Sequence, residues 1–386
     1  MITSLRLENF RSHEVSDLGL QPLSVLVGPA GAGKSNVLKA FLFLRSTLHN
    51  TPAELFPPGP FEFRWVRSRW ANETASIGMM VGLKIADQEA KYTLRFADSP
   101  QGVYVLEETL QRLEDPGGWQ WIFQRRWKGR PELGEFGRFT PYDETVLNRA
   151  WRAKGAISPG LEYAQRVARL LSKSAYYHLE AGNLKTPGEQ EGARRIGYNG
   201  DGLPEYLGEV KETNPTLFNQ IVEEMRELLP ALDTILINPA GIGKQGIAFR
   251  FRDYSGYINA PDLSDGTLFT LGMLAVVHSK DKAHLLCIEE PETGLHPRRL
   301  RWLFDKFVTL AYPSDGGLPG TQIILTTHSP YLLDLFRDMQ SSVLIVEHEM
   351  GRSRISSLPD IKSRLREPAS DDPIGREWAT GLFEGL

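Results

Sequence analysis

The chain has 386 residues, 41% of them hydrophobic and 24% charged, with a net charge of −4. These proportions exclude an unfolded polymer and a uniformly basic nucleic-acid binder, while a local basic groove stays open. Cys287 is the only cysteine, which excludes an intrachain disulfide and a thiolate-rich metal site. No window approaches the roughly 18 consecutive apolar residues of a membrane helix, and MITSLRLENFRSH lacks a signal-peptide core. The expectation is a cytoplasmic protein with no membrane partner.

In chain order, Leu5 and Leu7 alternate with polar residues from Ser4 to Glu8, which predicts a half-buried strand followed by a turn. Leu23 to Val27 is an apolar run that stops at Gly28, as a buried strand would. From Lys34 the positions Val37, Leu38, Phe41, Leu42 and Leu44 follow helical spacing, and the proline-rich stretch from Thr51 to Pro60 ends that pattern. Four segments follow, ASIGMMVGLKI, KYTLRF, GVYVLEETLQRL and WQWIFQRRW, which read as an antiparallel meander. Leu161 to Leu171 and Leu217 to Leu229 have amphipathic helical spacing, with an apolar strand around Ala175 to Leu179 between them. Leu184 to Gly202 is polar and glycine-rich and reads as a loop. After Asp262 helices alternate with the strands HLLCIEE and TQIILTTH, and the strands SSVLIVEHE and SRISSL close the series. The order predicts one α/β core split between residues 1–50 and 262–360, with an antiparallel β lobe over 61–140 and a helical lobe over 141–261.

Gly28-Pro-Ala-Gly31-Ala-Gly33-Lys34-Ser35 fits G-x-x-x-x-G-K-[ST] between an expected strand and an expected helix. Glycines let successive backbone N–H groups turn inward around phosphates, and the following helix adds its positive end. Lys34 is expected on the β- and γ-phosphates of ATP and Ser35 on Mg²⁺. The strand Leu285-Leu-Cys-Ile ends in Glu289 and Glu290, which we assign to the metal and to the attacking water. Thr326-Thr-His328-Ser-Pro closes another apolar strand; His328 is read either as a γ-phosphate contact or as a cap of the helix near Pro330. Leu263-Ser264-Asp-Gly266-Thr precedes an apolar helix and is at least an N-cap.

Taken in order, GPAGAGKSN, LSDGT, CIEEPETGLHP and TTHSP resemble the ABC-type ATPase heads of the SMC, RecF and OLD group. The opening LRLENFRSHE and the phrase LHPRRLRWLF are most similar to stand-alone bacterial RecF-like predicted ATPases. The resemblance implies a P-loop α/β ABC-type head that hydrolyses ATP with Mg²⁺ and forms an ATP-dependent head-to-tail homodimer. Gly28, Gly31, Gly33, Lys34, Ser35 and Asn36 would hold the nucleotide, with Glu289, Glu290 and His328 of the same subunit facing Ser264 and Gly266 of its partner. Glu292 to His296 would cross the dimer interface. The chain departs from the family pattern in three ways: Glu289 stands where many members have Asp, the lobe-linking glutamine has three candidates (Gln88, Gln101 and Gln111), and no long coiled coil interrupts the sequence. The stretch after His328 is too short for a typical nuclease domain, so Asp334, Asp338, Asp371 and Asp372 are expected on solvated faces.

Two roles follow. In the first the protein acts on DNA, and Arg64, Arg67, Arg69, Arg125, Arg126, Lys128 and Arg130 grip a backbone while Trp65, Trp70, Trp121 and Trp127 stack on bases. The competing reading of these residues is a meander with packed tryptophans and solvated arginines. In the second role the protein is an ATP-gated scaffold that controls a partner effector, as in anti-phage defence.

Overall fold

The computed structural model describes residues 1–57, 63–114, 117–126, 132–134, 137–139, 144–154, 158–189, 195–279, 282–313, 320–364, 373–381 and 383. The chain divides into two units, Met1–Ser174 with Gln322–Leu386, and Ala175–Thr321. Trp127, Lys128, Arg130, Asp371 and Asp372 lie outside the described residues.

In the first unit six antiparallel strands run in the order His13–Gly19, Ile2–Phe10, Ile77–Ile85, Gln88–Ser99, Gly102–Glu114, Gly118–Arg126. The last four are sequence neighbours joined as the expected meander. Their first turn, Ala86–Asp87, has φ of 46° and 67° at its two residues, the left-handed pair that a tight hairpin requires. His13–Gly19 was not anticipated as a strand. Its inward positions are His13, Ser16 and Leu18, so two of three core-facing residues are polar and the alternation is hidden.

A second sheet in this unit orders Gln322–Thr327, Leu23–Val27, Val343–Glu349 and Arg352–Ser357. Its first three strands are parallel and the last is antiparallel. Leu23–Val27 is buried at every residue, as a central parallel strand covered on both faces must be. The helix Lys34–Ser46 follows it and buries Val37, Leu38, Phe41 and Leu44, as its spacing predicts. Phe10, Phe43, Phe56, Phe63 and Phe96 form an aromatic cluster of edge-on and tilted pairs with centroids 5.2 to 5.9 Å apart. This cluster anchors the proline-rich segment after the helix. The helices Val146–Arg152 and Pro159–Ser172 complete the unit's core. Glu108 is fully buried and accepts the N–H groups of Val146 and Leu147 and the Tyr92 hydroxyl, with Arg125 at 3.7 Å.

In the second unit the helix Asp265–Val277 is apolar on every side and is buried from Gly266 to Val276. Such a helix needs cover all round, and Ala181–Lys185, Leu203–Thr213, Pro215–Leu228 and Pro297–Ala311 supply it. The buried strand Leu285–Glu289 lies beside Ser174–Tyr177. Leu232–Pro239 and Lys244–Phe251 pair as a hairpin closed through Gly241 and Gly243, both at positive φ. The sequence reading missed this hairpin, although the alternation of Ile247, Phe249 and Phe251 next to Gly-Ile-Gly carries its signal. The segment expected as a loop from Leu184 begins inside the helix Ala181–Lys185. Among the described residues no helix is long and apolar enough to cross a membrane.

Candidate functional site

The phosphate-type loop leaves the Leu23–Val27 strand at Gly28. A Cβ on Gly28 would lie 2.0 Å from the Val346 carbonyl oxygen, so only glycine fits there. Gly31 and Gly33 have φ of 77° and 106°, and Gly33 caps the Lys34–Ser46 helix without a side-chain hydrogen bond. The helix N-terminus therefore presents backbone N–H groups at the loop, the arrangement that binds phosphate. The outer side of the loop is held by three residues to which sequence reading gave no role. Ser353 Oγ lies 2.6 Å from the Ala32 carbonyl and 2.7 Å from Ser12 Oγ. Asn36 Nδ2 donates to Ser12 Oγ at 2.8 Å, so its side chain braces the loop. His13 Nε2 donates to the Gly33 carbonyl at 3.2 Å, which leaves Nδ1 to accept from Ser16 Oγ at 2.9 Å. Burial pushes the His13 pKa down to about 4, only partly offset by that carbonyl. The ring is neutral at physiological pH.

Lys34 is 5% exposed. Its ammonium donates to the Gly28 and Pro29 carbonyls at 2.8 and 2.9 Å and lies 3.1 Å from His328 Nε2. An ammonium only donates, so Nε2 accepts and the His328 proton sits on Nδ1. Register explains the meeting: Thr327 pairs with Val27 on adjacent parallel strands, so His328 and Gly28 leave the sheet side by side. Ser329, not His328, caps the Pro330–Asp334 helix by accepting from Leu332 N. This removes the capping alternative for His328. Asp334 is half-buried, and its carboxylate accepts the Gly375 N–H at 2.7 Å. Asp338 is exposed.

In the second unit, Glu289 ends its strand 9% exposed. The Tyr176 hydroxyl donates to Glu289 Oε1 at 2.8 Å, and His178 Nδ1 stands 3.4 Å from Oε2. Burial and the adjacent carboxylate push the Tyr176 hydroxyl far above its ordinary pKa. Glu290, the next residue, has φ of 45°. A non-glycine side chain in that region costs about 1–3 kcal/mol, and such strain collects at functional positions. Ser264 caps the Asp265–Val277 helix by accepting from Thr267 N. A Cβ on Gly266 would meet the Gly294 carbonyl at 2.4 Å, so the first turn of this helix lies backbone to backbone with the turn after the acidic strand. His296, at the far end of that turn, caps the Pro297–Ala311 helix.

The arginine–tryptophan set divides. Arg125 is buried beside Glu108 and donates to the Glu144 carbonyl, and Arg126 pairs with Glu107. Arg125 is thus held inside the meander, whereas Arg126 makes its ion pair on the exposed side of the same strand, where Trp121 is half exposed as well. Arg64, Trp65, Arg67, Arg69 and Trp70 instead line a cavity of about 570 Å³ together with Arg11, Ser12 and Asn36. Trp65 and Trp70 are 50% and 42% exposed, so they are not the packed tryptophans of the competing reading. Among the glutamines, Gln88 opens its strand exposed, Gln101 lies in an exposed turn and Gln111 pairs with Trp121. None of these positions singles out a linking role.

The residues fit the groups that the sequence implies. An uncapped helix N-terminus, left-handed glycines and a buried lysine suit a polyphosphate. The Ser35 hydroxyl and the Glu289 carboxylate are hard oxygen donors of the kind Mg²⁺ takes alongside phosphates. Among the described residues no group of three or more His, Cys, Asp or Glu could hold a metal.

Residues 23–334 match the family described as "AAA domain, putative AbiEii toxin, Type IV TA system". The chain belongs to this AAA family. Its fold is that of SMC head ATPases, a P-loop ABC-type α/β head. It aligns with the SmcHead bound to the C-winged helix domain of ScpA at TM-score 0.55 and 13% identity, covering 93% of this chain and 99% of that one. It also aligns with an Smc head domain with an extended coiled coil, bound to the C-terminal domain of ScpA derived from Pyrococcus furiosus. That alignment has TM-score 0.51 and 12% identity and covers 94% and 98%. A search of curated proteins gives no match. At these identities the likeness concerns the fold alone, and family membership rests on the AAA match.

Proposed function

We propose that this AAA protein binds and hydrolyses ATP and dimerises head to tail when ATP is bound. The observation that carries this reading is the Lys34 ammonium, buried at the loop mouth between two carbonyls and His328. A phosphate oxygen is a stronger partner than either carbonyl because the hydrogen bond becomes charge-assisted at both ends. In this reading Gly28, Gly31, Gly33, Lys34 and Ser35 hold the polyphosphate, with Asn36 supporting the loop, and His328 orients Lys34. By their motifs, Ser35 and Glu289 are the residues that would hold Mg²⁺, whose charge would offset that of the phosphates. Glu290 accepts a proton from the attacking water, and Ser264 and Gly266 of a second copy meet the phosphates across the dimer. The Trp65–Trp70 cavity shares Ser12 and Asn36 with the loop's brace and takes the base and ribose.

For the biological role, two observations favour the ATP-gated scaffold over direct action on DNA. The family description names an AbiEii-type toxin of a Type IV TA system, and Arg125 is buried in the meander beside Glu108 rather than presented on its surface. We infer a defence role in which the ATP-bound dimer controls a partner effector. Light scattering with and without ATP and Mg²⁺, on wild type, Lys34→Ala and Glu290→Gln, tests the mechanism. Mass that doubles with ATP, persists in Glu290→Gln and is lost in Lys34→Ala is expected, with phosphate released only by the wild type. A mass that never responds to ATP rejects the dimer, and salt-sensitive DNA binding that requires ATP would restore the DNA reading.

A further inference from the structure

Residues Tyr176 to Lys185 touch two chemically distinct places in the second unit. At one end the Tyr176 hydroxyl donates to Glu289 at 2.8 Å, with His178 at 3.4 Å from the other carboxylate oxygen. At the other end Lys185 Nζ pairs with Asp265 at 2.6 Å, in the first turn of the helix that Ser264 caps. The stretch between them is fixed. His178 N donates to the Tyr198 carbonyl at 2.7 Å and Glu180 N to that of Asn199 at 2.9 Å. Leu179 and Leu184 are buried, and both would touch a Cβ on Gly272 in the middle of the same helix at 3.0 Å. Gly200, at φ 95°, also packs against Leu184.

We propose that Tyr176–Lys185 is a strap that positions the Glu289 carboxylate and keeps it in register with the N-terminus of the Asp265–Val277 helix. Tyr176 and Lys185 are its two positioning residues. A glutamate reaches one methylene farther than an aspartate and has one more torsion to fix. The Tyr176 hydrogen bond occupies Oε1 and fixes the carboxylate torsion, with Oε2 at 3.4 Å from His178 Nδ1. Because the strap is hydrogen-bonded and packed between its ends, displacement of the helix's first turn moves Lys185, and through it Tyr176 and the carboxylate. The metal-side acid would thus respond to whatever engages Ser264 and Gly266. This inference rests on the ATPase reading only for what the acid holds, and the connection itself belongs to the fold.

The test uses Tyr176→Phe, Lys185→Met and Asp265→Asn in the full chain. Without any ligand, amide hydrogen exchange is followed at residues 265–268 and 287–290. Cutting either end should speed exchange at the other by at least about five-fold, the low end of typical coupling between sites. In the presence of ATP, Mn²⁺ titrations read by electron paramagnetic resonance should show about ten-fold weaker metal binding in Tyr176→Phe. Lys185→Met and Asp265→Asn should show a smaller loss of the same sign, with metal-free nucleotide affinity unchanged in all three. Exchange effects confined to the cut end, or metal affinity unmoved by Lys185→Met, overturn the strap. If the wild type binds no nucleotide, the ATPase reading fails while the ligand-free exchange still decides this inference.

Discussion

His13 offers a sharp check on how the phosphate loop is braced. Its ring is fully buried, donates to the Gly33 carbonyl, and has its pKa lowered by burial from 6.5 to about 4. In the unfolded chain the same group titrates near 6.5, so between those values the unfolded state binds more protons. Lowering the pH therefore favours unfolding. The stabilisation is intact above 6.5 and falls as pH drops toward 4. Linkage gives a loss of about 2 kcal/mol from this one residue between pH 7.5 and 5, or roughly 6 °C in melting temperature for a unit of this size. In His13→Gln the amide can still donate to Gly33 but does not titrate. Thermal unfolding of wild type and variant at both pH values isolates the term. The variant should start less stable and lose about 2 kcal/mol less on acidification. Equal losses in the two proteins would refute the buried neutral imidazole and with it the proposed brace.

Gly28→Ala should abolish nucleotide binding and cost about 1–3 kcal/mol from overpacking, because its Cβ would lie 2.0 Å from the Val346 carbonyl; urea unfolding and ATP titration read the two effects separately. Trp65→Ala should weaken ATP by about 1–3 kcal/mol, the value of stacking on a base, with melting unchanged. Its fluorescence should be quenched by ATP and not by polyphosphate, and quenching by both alike would place the base elsewhere. Glu108→Gln should destabilise by about 3–5 kcal/mol, since it leaves Arg125 buried without its counter-charge. A loss below about 1 kcal/mol, the range of a surface pair, would show that the ion pair contributes little.

Several features of the fold were legible because local physics dictates them. The Leu23–Val27 strand, the glycine spacing from Gly28 to Gly33 and the Lys34–Ser46 helix are one continuous local signal, and the structure reproduces each. The meander was visible because its strands are consecutive. The His13–Gly19 strand was hidden because polar side chains fill core positions. Arg64 and Trp65, placed by the sequence reading within the expected β lobe, instead lie in the short helix Phe63–Val66, which Phe63 ties to Phe56 through a ring contact at 5.2 Å.

The sequence alone carried the expectation of phosphate and metal chemistry at the loop and the acidic strand, since that chemistry requires particular residue types at short, fixed spacings. Tertiary structure decided which groups those residues meet. His328 reaches Lys34 across 294 positions because two parallel strands share a register. Ser353 reaches the loop across 321 positions, and Tyr176 reaches Glu289 across 113. Such partners come from strands far apart in the sequence, and strand pairing is selected by burial of the whole sheet, so no local window of the sequence encodes it.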